Sequence, residues 1–202
     1  MKSYSTLTDD QLVCLYQEGN DSAFDALLSR HQTTLFNYIF FLVKDEDLAN
    51  DVFQDTFVRA ITAIRQGSYQ PNGNFRAWLM QISRNLSLDH HRHTNCLTIV
   101  SQEFVGEGGD VKRDYFNNAN FSGPTMQEDL EALESAEIVR DLVDCLNENQ
   151  REAVYLRYYE NLSFKQMAEV LGVSINTALG RIHYAIRNLR TMAQSRRASL
   201  VG

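Results

Sequence analysis

The spacing of apolar residues constrains this chain most, because it follows the period of an α-helix almost throughout. Between residues 24 and 42 the apolar side chains form one helical stripe, and no alternation of apolar and polar residues is long enough to propose a strand. The sequence therefore predicts an all-α fold. Its 202 residues, 44% of them apolar, suffice for one large core or two small ones.

Capping and turn signals divide the first part of the chain into four helices. Thr8 to Gln11 has the pattern of a capping box, and Gly19 is expected to end the helix that this box opens. A second helix follows directly, and a third is predicted over about 45–64. Residues 66–74 contain two Gly, one Pro and two Asn, which predicts a loop. A fourth helix then begins with Asn74 as its cap.

Loss of periodicity separates two domains. The four helices make a domain at 1–94, and a flexible acidic linker is predicted at 95–125, where glycine and asparagine accumulate. Helical spacing resumes at 126–192, which is the second domain, and 193–202 is predicted to be a frayed tail.

Charge is distributed unevenly along the chain, although the net charge is −7. Residues 67–93 hold 3 basic and 1 acidic side chains, and residues 161–202 hold 6 and 1. In contrast, residues 1–66 hold 5 and 10, and residues 94–135 hold 2 and 8. Two basic segments within an acidic chain predict two separate contacts with a polyanion.

Composition also bears on location. No apolar stretch approaches the ~20 residues that a membrane span needs, so no membrane insertion is expected. The three cysteines lie far apart, which argues against a disulfide framework and favours a cytoplasmic protein. No cofactor motif stands out.

A helix-turn-helix is predicted near the C-terminus. Ser163 to Gln166 forms a second capping box, Gly172 ends that helix, and Ser174 caps the next. Because arginine, asparagine and threonine bind base edges and phosphates, the second helix is a candidate for the DNA major groove. The alternative is an ordinary helical hairpin with a solvated polar face. The candidate DNA-binding residues are Ser174, Asn176, Thr177, Gly180, Arg181, His183, Tyr184 and Arg187.

The fourth helix has a second polar face, opposite an inner face of Phe75, Trp78, Leu79, Ile82 and Leu86. An aromatic ring in the preceding loop, Tyr69, together with amides and arginines could hold an unstacked base. For Tyr69, packing on Trp78 is the alternative. The candidate residues for single-stranded DNA are Tyr69, Asn74, Arg76, Gln81, Arg84, Asn85, Leu88 and Arg92.

Two further clusters are candidates for binding. Asp51, Gln54 and Asp55 share one face of the third helix, where the alternative to a binding role is a solvated acidic surface. The group His90, His91, His93 and Cys96 suggests zinc, but residues 90 and 91 point about 100° apart on a helix and no second ligand group is evident. The sequence therefore predicts no metal. A zinc-dependent nucleic-acid enzyme remains the alternative.

Three segments together resemble the extracytoplasmic-function group of the sigma-70 family: Asp51–Phe57, Phe75–Asn85 and Thr177–His183. The resemblance implies that the first segment docks on the clamp helices of the largest subunit of RNA polymerase. It implies that the second melts and recognises the minus-10 element, with Tyr69 and Asn85 matching a pocket for a flipped base. The helix-turn-helix would recognise the minus-35 element as duplex.

The same resemblance implies an alternative sigma factor that is not an enzyme. Its expected partners are core RNA polymerase, through the clamp helices and the flap region, promoter DNA and an anti-sigma factor. The chain departs from the family pattern at Leu179, Gly180 and Tyr184, where a basic residue, a serine and an arginine are common. The remaining alternative is a stand-alone helix-turn-helix regulator, which would need a dimerisation helix and a more basic first domain.

Overall fold

The computed structural model describes residues 4–98 and 138–201, with side chains from 4 to 90 and from 138 to 196. Every regular element in these two ranges is helical, which confirms the predicted all-α fold. The chain divides into two compact units, one in residues 1–115 and the other in residues 116–202.

The described part of the first unit contains a 3₁₀ turn at Tyr4–Thr6 and four α-helices, α1 Asp9–Gln17, α2 Asp21–Val43, α3 Glu46–Arg65 and α4 Phe75–Thr98. Local sequence signals set their ends. The Thr8 hydroxyl accepts a hydrogen bond from the Gln11 N–H, and the Gln11 side chain accepts one from the Thr8 N–H, which is the predicted capping box. Gly19 follows with a φ of +95°, a conformation that residues with a Cβ rarely adopt.

Helix α2 is the centre of the first unit, because it packs against α1, α3 and α4. Phe24 of α2 lies between Tyr16 of α1 and Phe57 of α3, with ring centroids 5.0 and 6.1 Å away. Burying a large apolar side chain stabilises a fold by about 1.5–3 kcal/mol, so this core fixes the frame that carries α4. The largest fully buried side chains of the unit are those of Leu12, Leu27, Leu35, Tyr38, Ile39, Ile64, Phe75, Leu79 and Met80.

The described part of the second unit contains α5 at 138–144, α6 Glu148–Val154, a π-helical segment Tyr155–Tyr159, α7 Phe164–Leu171 and α8 Ile175–Val201. Helix α8 packs against both α6 and α7. The buried core of this unit includes Leu156, Leu162, Met167, Ala178, Ile182 and Ala185.

Three features differ from the predictions made from the sequence or lie outside the described residues. Helix α8 continues to Val201, through most of the residues predicted as a tail. The π-helical segment was not predicted. Of the predicted linker, residues 95–98 belong to α4, whereas the rest lies outside the described residues.

Candidate nucleic-acid and polymerase interfaces

Helix α4 presents a polar outward face, which we define as Gln81, Asn85 and Leu88. Asn85 and Leu88 are exposed and Gln81 is half-buried. The opposite side is buried, and even its serines are satisfied locally, because the Ser83 and Ser87 hydroxyls donate to the carbonyls of residues 80 and 83. The helix thus turns these three side chains away from the core. Asn74, Arg76 and Arg84 are half-buried, and the side chain of Arg92 lies outside the described residues.

Trp78, which was predicted to belong to the inner face of α4, lies at the edge of that face, where its ring packs on Tyr69 and Phe75. Trp78 is half-buried and lies one and two turns before Gln81 and Asn85 on the same side of the helix. The buried face is rotated away from it, because Met80 joins Phe75 at the centre of the core. Trp78 is thus an aromatic ring at the edge of the outward face. The sequence already indicated this position, because Trp78 is spaced one and two helical turns from Gln81 and Asn85.

Tyr69 is buried rather than presented for base stacking. The residue as a whole is 5% exposed, and its ring packs 4.2 Å from the Trp78 ring and 5.6 Å from the Phe75 ring, centroid to centroid. Its hydroxyl makes no hydrogen bond with the described residues. Burial, together with the nearby carboxylates of Asp10 and Asp9, raises the pKa of Tyr69 well above its usual value. In this structure the alternative interpretation, packing on Trp78, describes its position.

The first turn of α1 anchors the loop that precedes α4. The Gly73 N–H donates to the Asp10 carboxylate over 2.8 Å. The neighbouring carboxylate of Asp9 is 2.8 Å from His31 Nε2 and also accepts from Arg30. Burial alone would raise the pKa of Asp9, but the hydrogen bonds and charges of His31 and Arg30 hold it below its ordinary value of 3.8.

This anchor was not predicted from the sequence, and no local signal marks it. Acidic residues in a first helical turn are common, because they offset the helix dipole. The contacts of Asp9 and Asp10 reach residues far away in the chain, so only the folded unit brings them together.

Helix α3 carries an acidic face of Asp51, Gln54 and Asp55, all of them exposed. Val58, one turn beyond Gln54 and Asp55 on the same face, has a side chain that is 60% exposed. The face therefore combines two carboxylates with an exposed apolar residue. The sequence analysis did not predict Val58 as part of this face.

The helix-turn-helix is formed as the caps predict. Ser163 and Gln166 make a capping box that begins α7, and Gly172 ends it with a φ of +64°. The Ser174 hydroxyl then accepts from the Thr177 N–H over 3.0 Å and caps α8.

Helix α8 turns one apolar stripe inward and most of the candidate residues outward. Ala178, Ile182 and Ala185 are buried. Arg181 is only half-exposed, and its Nη1 is buried without a hydrogen bond to the described residues. The helix has five arginines and no acidic residue. The exposed candidate residues are Ser174, Asn176, Thr177, His183, Tyr184 and Arg187, and Gly180 lies among them.

Within the described residues, no cluster of His, Cys, Asp or Glu could hold a metal ion. Of the four candidate ligands in the sequence, His90 is half-buried. The side chains of His91, His93 and Cys96 lie outside the described residues.

Comparison with known proteins gives consistent matches for both units. Two family models match, Sigma-70 region 2 over residues 27–95 and Sigma-70, region 4 over residues 136–189. The first covers α3 and most of α4, and the second covers the helix-turn-helix.

Within the described ranges, none of the helices combines the length and apolarity that crossing a bilayer requires.

Individual relatives extend over most of the chain. The ECF RNA polymerase sigma factor BldN of Streptomyces coelicolor is 31% identical over 184 residues, which are 91% of this chain and 64% of that protein. The RNA polymerase sigma-H factor of Pseudomonas aeruginosa is 29% identical, with 88% of this chain and 89% of that protein covered. The structure of CnrH in complex with the cytosolic domain of CnrY matches with a TM-score of 0.60 and 26% identity, covering 93% of this chain and 97% of that one.

Proposed function

We propose how this chain, which belongs to the extracytoplasmic-function group of the sigma-70 family of RNA polymerase sigma factors, uses the surfaces described above. It is an alternative sigma factor, and its proposed task is to direct core polymerase to specific promoters. Two domains, 1–94 and 126–192, would each bind one of the two promoter elements. One observation carries the proposal: the α4 outward face falls within the region 2 match and the helix-turn-helix within the region 4 match.

The α4 outward face binds the minus-10 element as a single strand. Asn85 and Gln81 supply hydrogen-bonding amides, and Arg76, Arg84 and Arg92 supply positive charge for the phosphates. Trp78, at the edge of this face, is the aromatic surface on which a base stacks. Tyr69 supports Trp78 from behind, because the two rings are 4.2 Å apart.

The α3 acidic face docks on the clamp helices of the polymerase largest subunit. Its exposed carboxylates, Asp51 and Asp55, match a basic partner surface, and Val58 supplies an apolar contact at the centre of the interface. An exposed apolar side chain beside a polar rim is the usual composition of such a contact.

Helix α8 binds the minus-35 element in the major groove. Its five arginines and the absence of acidic residues in it favour a duplex, and its exposed polar residues face away from the core. The second domain also contacts the polymerase flap region.

Further partners and the location follow from the family. We propose that an anti-sigma factor inhibits the chain, as membership of this group implies. CnrH, whose structure the chain matches, was likewise solved in complex with another protein segment, the cytosolic domain of CnrY. The protein acts in the cytoplasm, where polymerase and promoters are. It performs no chemistry of its own, because the polymerase supplies catalysis.

Reconstituted transcription tests this function. Core polymerase is incubated with genomic fragments, with and without the purified chain, and run-off transcripts are sequenced. We expect discrete start sites that depend on the chain. A stand-alone regulator would instead alter transcripts made by another sigma factor and would yield none with core polymerase alone, an outcome that contradicts the proposal.

A further inference from the structure

A glycine lies at the centre of the outward face of α8. This glycine is Gly180. Asn176 and Thr177 lie one turn before it on the helix surface, His183 and Tyr184 lie one turn after it, and all four are exposed. The core-facing residues, such as Ala178 and Ile182, are on the opposite side. Gly180 therefore makes a notch in the surface, bounded by these four side chains.

No contact within the described residues explains this glycine. A Cβ built on Gly180 would meet no other atom within 4 Å. Its backbone is not among those with a positive φ, so the conformation does not require glycine either. Because glycine is a poorer helix former than alanine, the missing Cβ weakens α8 without any packing advantage inside the molecule. A close contact with something that binds to this face would supply such an advantage.

The side chains around the notch indicate what that partner is. None of the four is arginine or lysine, the residues that most often bind guanine. Asn176 carries an amide, which suits adenine, and the Tyr184 side chain is 56% exposed. Ile175 and Leu179, along the same side of the helix, are also about half exposed. The surface is therefore suited to A·T pairs, whose thymine presents the only methyl group in the major groove.

We propose that the Gly180 notch accepts the 5-methyl group of one thymine in the minus-35 duplex, with Asn176 bound to an adjacent adenine. This inference rests on the proposed function, because it assumes that α8 enters the major groove of a promoter. The notch lets the helix backbone approach the base edge more closely than a residue with a Cβ allows. Gly180 thereby determines specificity for thymine at one position.

The test pairs a protein substitution with a base substitution. A promoter is first defined by reconstituted transcription, and each thymine of its minus-35 element is then replaced in turn by deoxyuridine, which lacks the methyl group. Holoenzyme made from core polymerase and the full chain is titrated against each fragment. At one position we expect the parent to bind the uracil fragment about fourfold more weakly, the effect of losing one buried methyl group.

Gly180→Ala should reverse this preference. Its new methyl group occupies the space of the thymine methyl, so the variant should lose affinity for the thymine fragment and recover it on the uracil fragment at that same position. Thr191→Ala is the control, since it also replaces an exposed residue of α8 by alanine, three turns further along. It should bind both fragments as the parent does. Both variants should have a raised thermal midpoint, which excludes misfolding.

Two outcomes would overturn the inference. One is that Gly180→Ala binds every fragment as the parent does. The other is that its loss is equal on thymine and uracil fragments at every position. Transcription from the unmodified promoter by holoenzyme containing the parent chain is measured separately. The absence of transcripts in that measurement would refute the proposed function instead.

Discussion

Asp9 links the stability of the first unit to pH. Its carboxylate is held by His31 and Arg30, and its pKa lies below the ordinary value of 3.8. A depressed carboxyl pKa means that the unfolded chain takes up the proton first as the pH falls. The stabilisation by Asp9 is therefore complete above about pH 4 and is lost below it.

We predict that Asp9→Asn lowers the free energy of unfolding at pH 7 by about 1 kcal/mol, because a partly exposed charged hydrogen-bond network is weakened. The difference between variant and parent should shrink below pH 4. Denaturant titrations followed by the fluorescence of Trp78, the only tryptophan, measure this. Asp25→Asn, at an exposed site on α2, is the control and should change the free energy of unfolding by less than about 0.5 kcal/mol. A pH-independent difference for Asp9→Asn would contradict the account.

Tyr69 permits a second test at the residue scale. Its hydroxyl is buried without a hydrogen bond to the described residues, so Tyr69→Phe should preserve or raise stability and leave promoter opening unchanged. Tyr69→Ala removes the ring that packs on Trp78 and should cost about 3 kcal/mol. Stability is read from Trp78 fluorescence and opening from permanganate reactivity of the minus-10 thymines. If Tyr69→Phe is stable but fails to open promoters, the hydroxyl contacts DNA and the packing interpretation is wrong.

At the scale of elements, helix boundaries were predictable wherever one local signal decides them. The capping boxes at Thr8 and Ser163 and the turn at Gly172 depend on residues a few positions apart. The burial of Tyr69 was not predictable, because it depends on α4 and the loop packing together. Nor was the π-helical segment, which the sequence does not distinguish from a regular turn. The end of α8 was predicted too early, because its last turns carry no apolar stripe from which a helix could be inferred.

The α3 acidic face is the element whose proposed role is most easily separated from folding. Asp55→Lys together with Asp51→Lys should weaken binding to core polymerase at least about tenfold, through like-charge repulsion at a basic partner surface. Both sites are exposed, so the free energy of unfolding should change little. Asp25→Lys is the control for charge reversal at an exposed site outside this face, and binding is measured by titrating labelled chain with core polymerase. Undiminished binding by the folded double variant would make this face an ordinary solvated surface.

At the scale of the whole molecule, charge divides the chain into parts that attract DNA and parts that repel it. Residues 161–202 hold 6 basic and 1 acidic side chains, while residues 1–66 hold 5 and 10. The free chain thus offers few phosphate contacts and carries a larger negative charge elsewhere in the sequence, which reduces the affinity that counterion release supplies. In the proposed complex, polymerase would change this balance by covering the acidic face of α3 and adding its own contacts to DNA.

The most direct test of this account is a DNA-binding titration at physiological salt, on a promoter defined by reconstituted transcription, with and without core polymerase. We predict that the chain alone binds the promoter weakly and distinguishes it little from unrelated DNA, and that adding core polymerase produces tight, promoter-specific binding. Tight and sequence-specific binding by the free chain, unchanged by polymerase, would contradict the account and identify a stand-alone regulator.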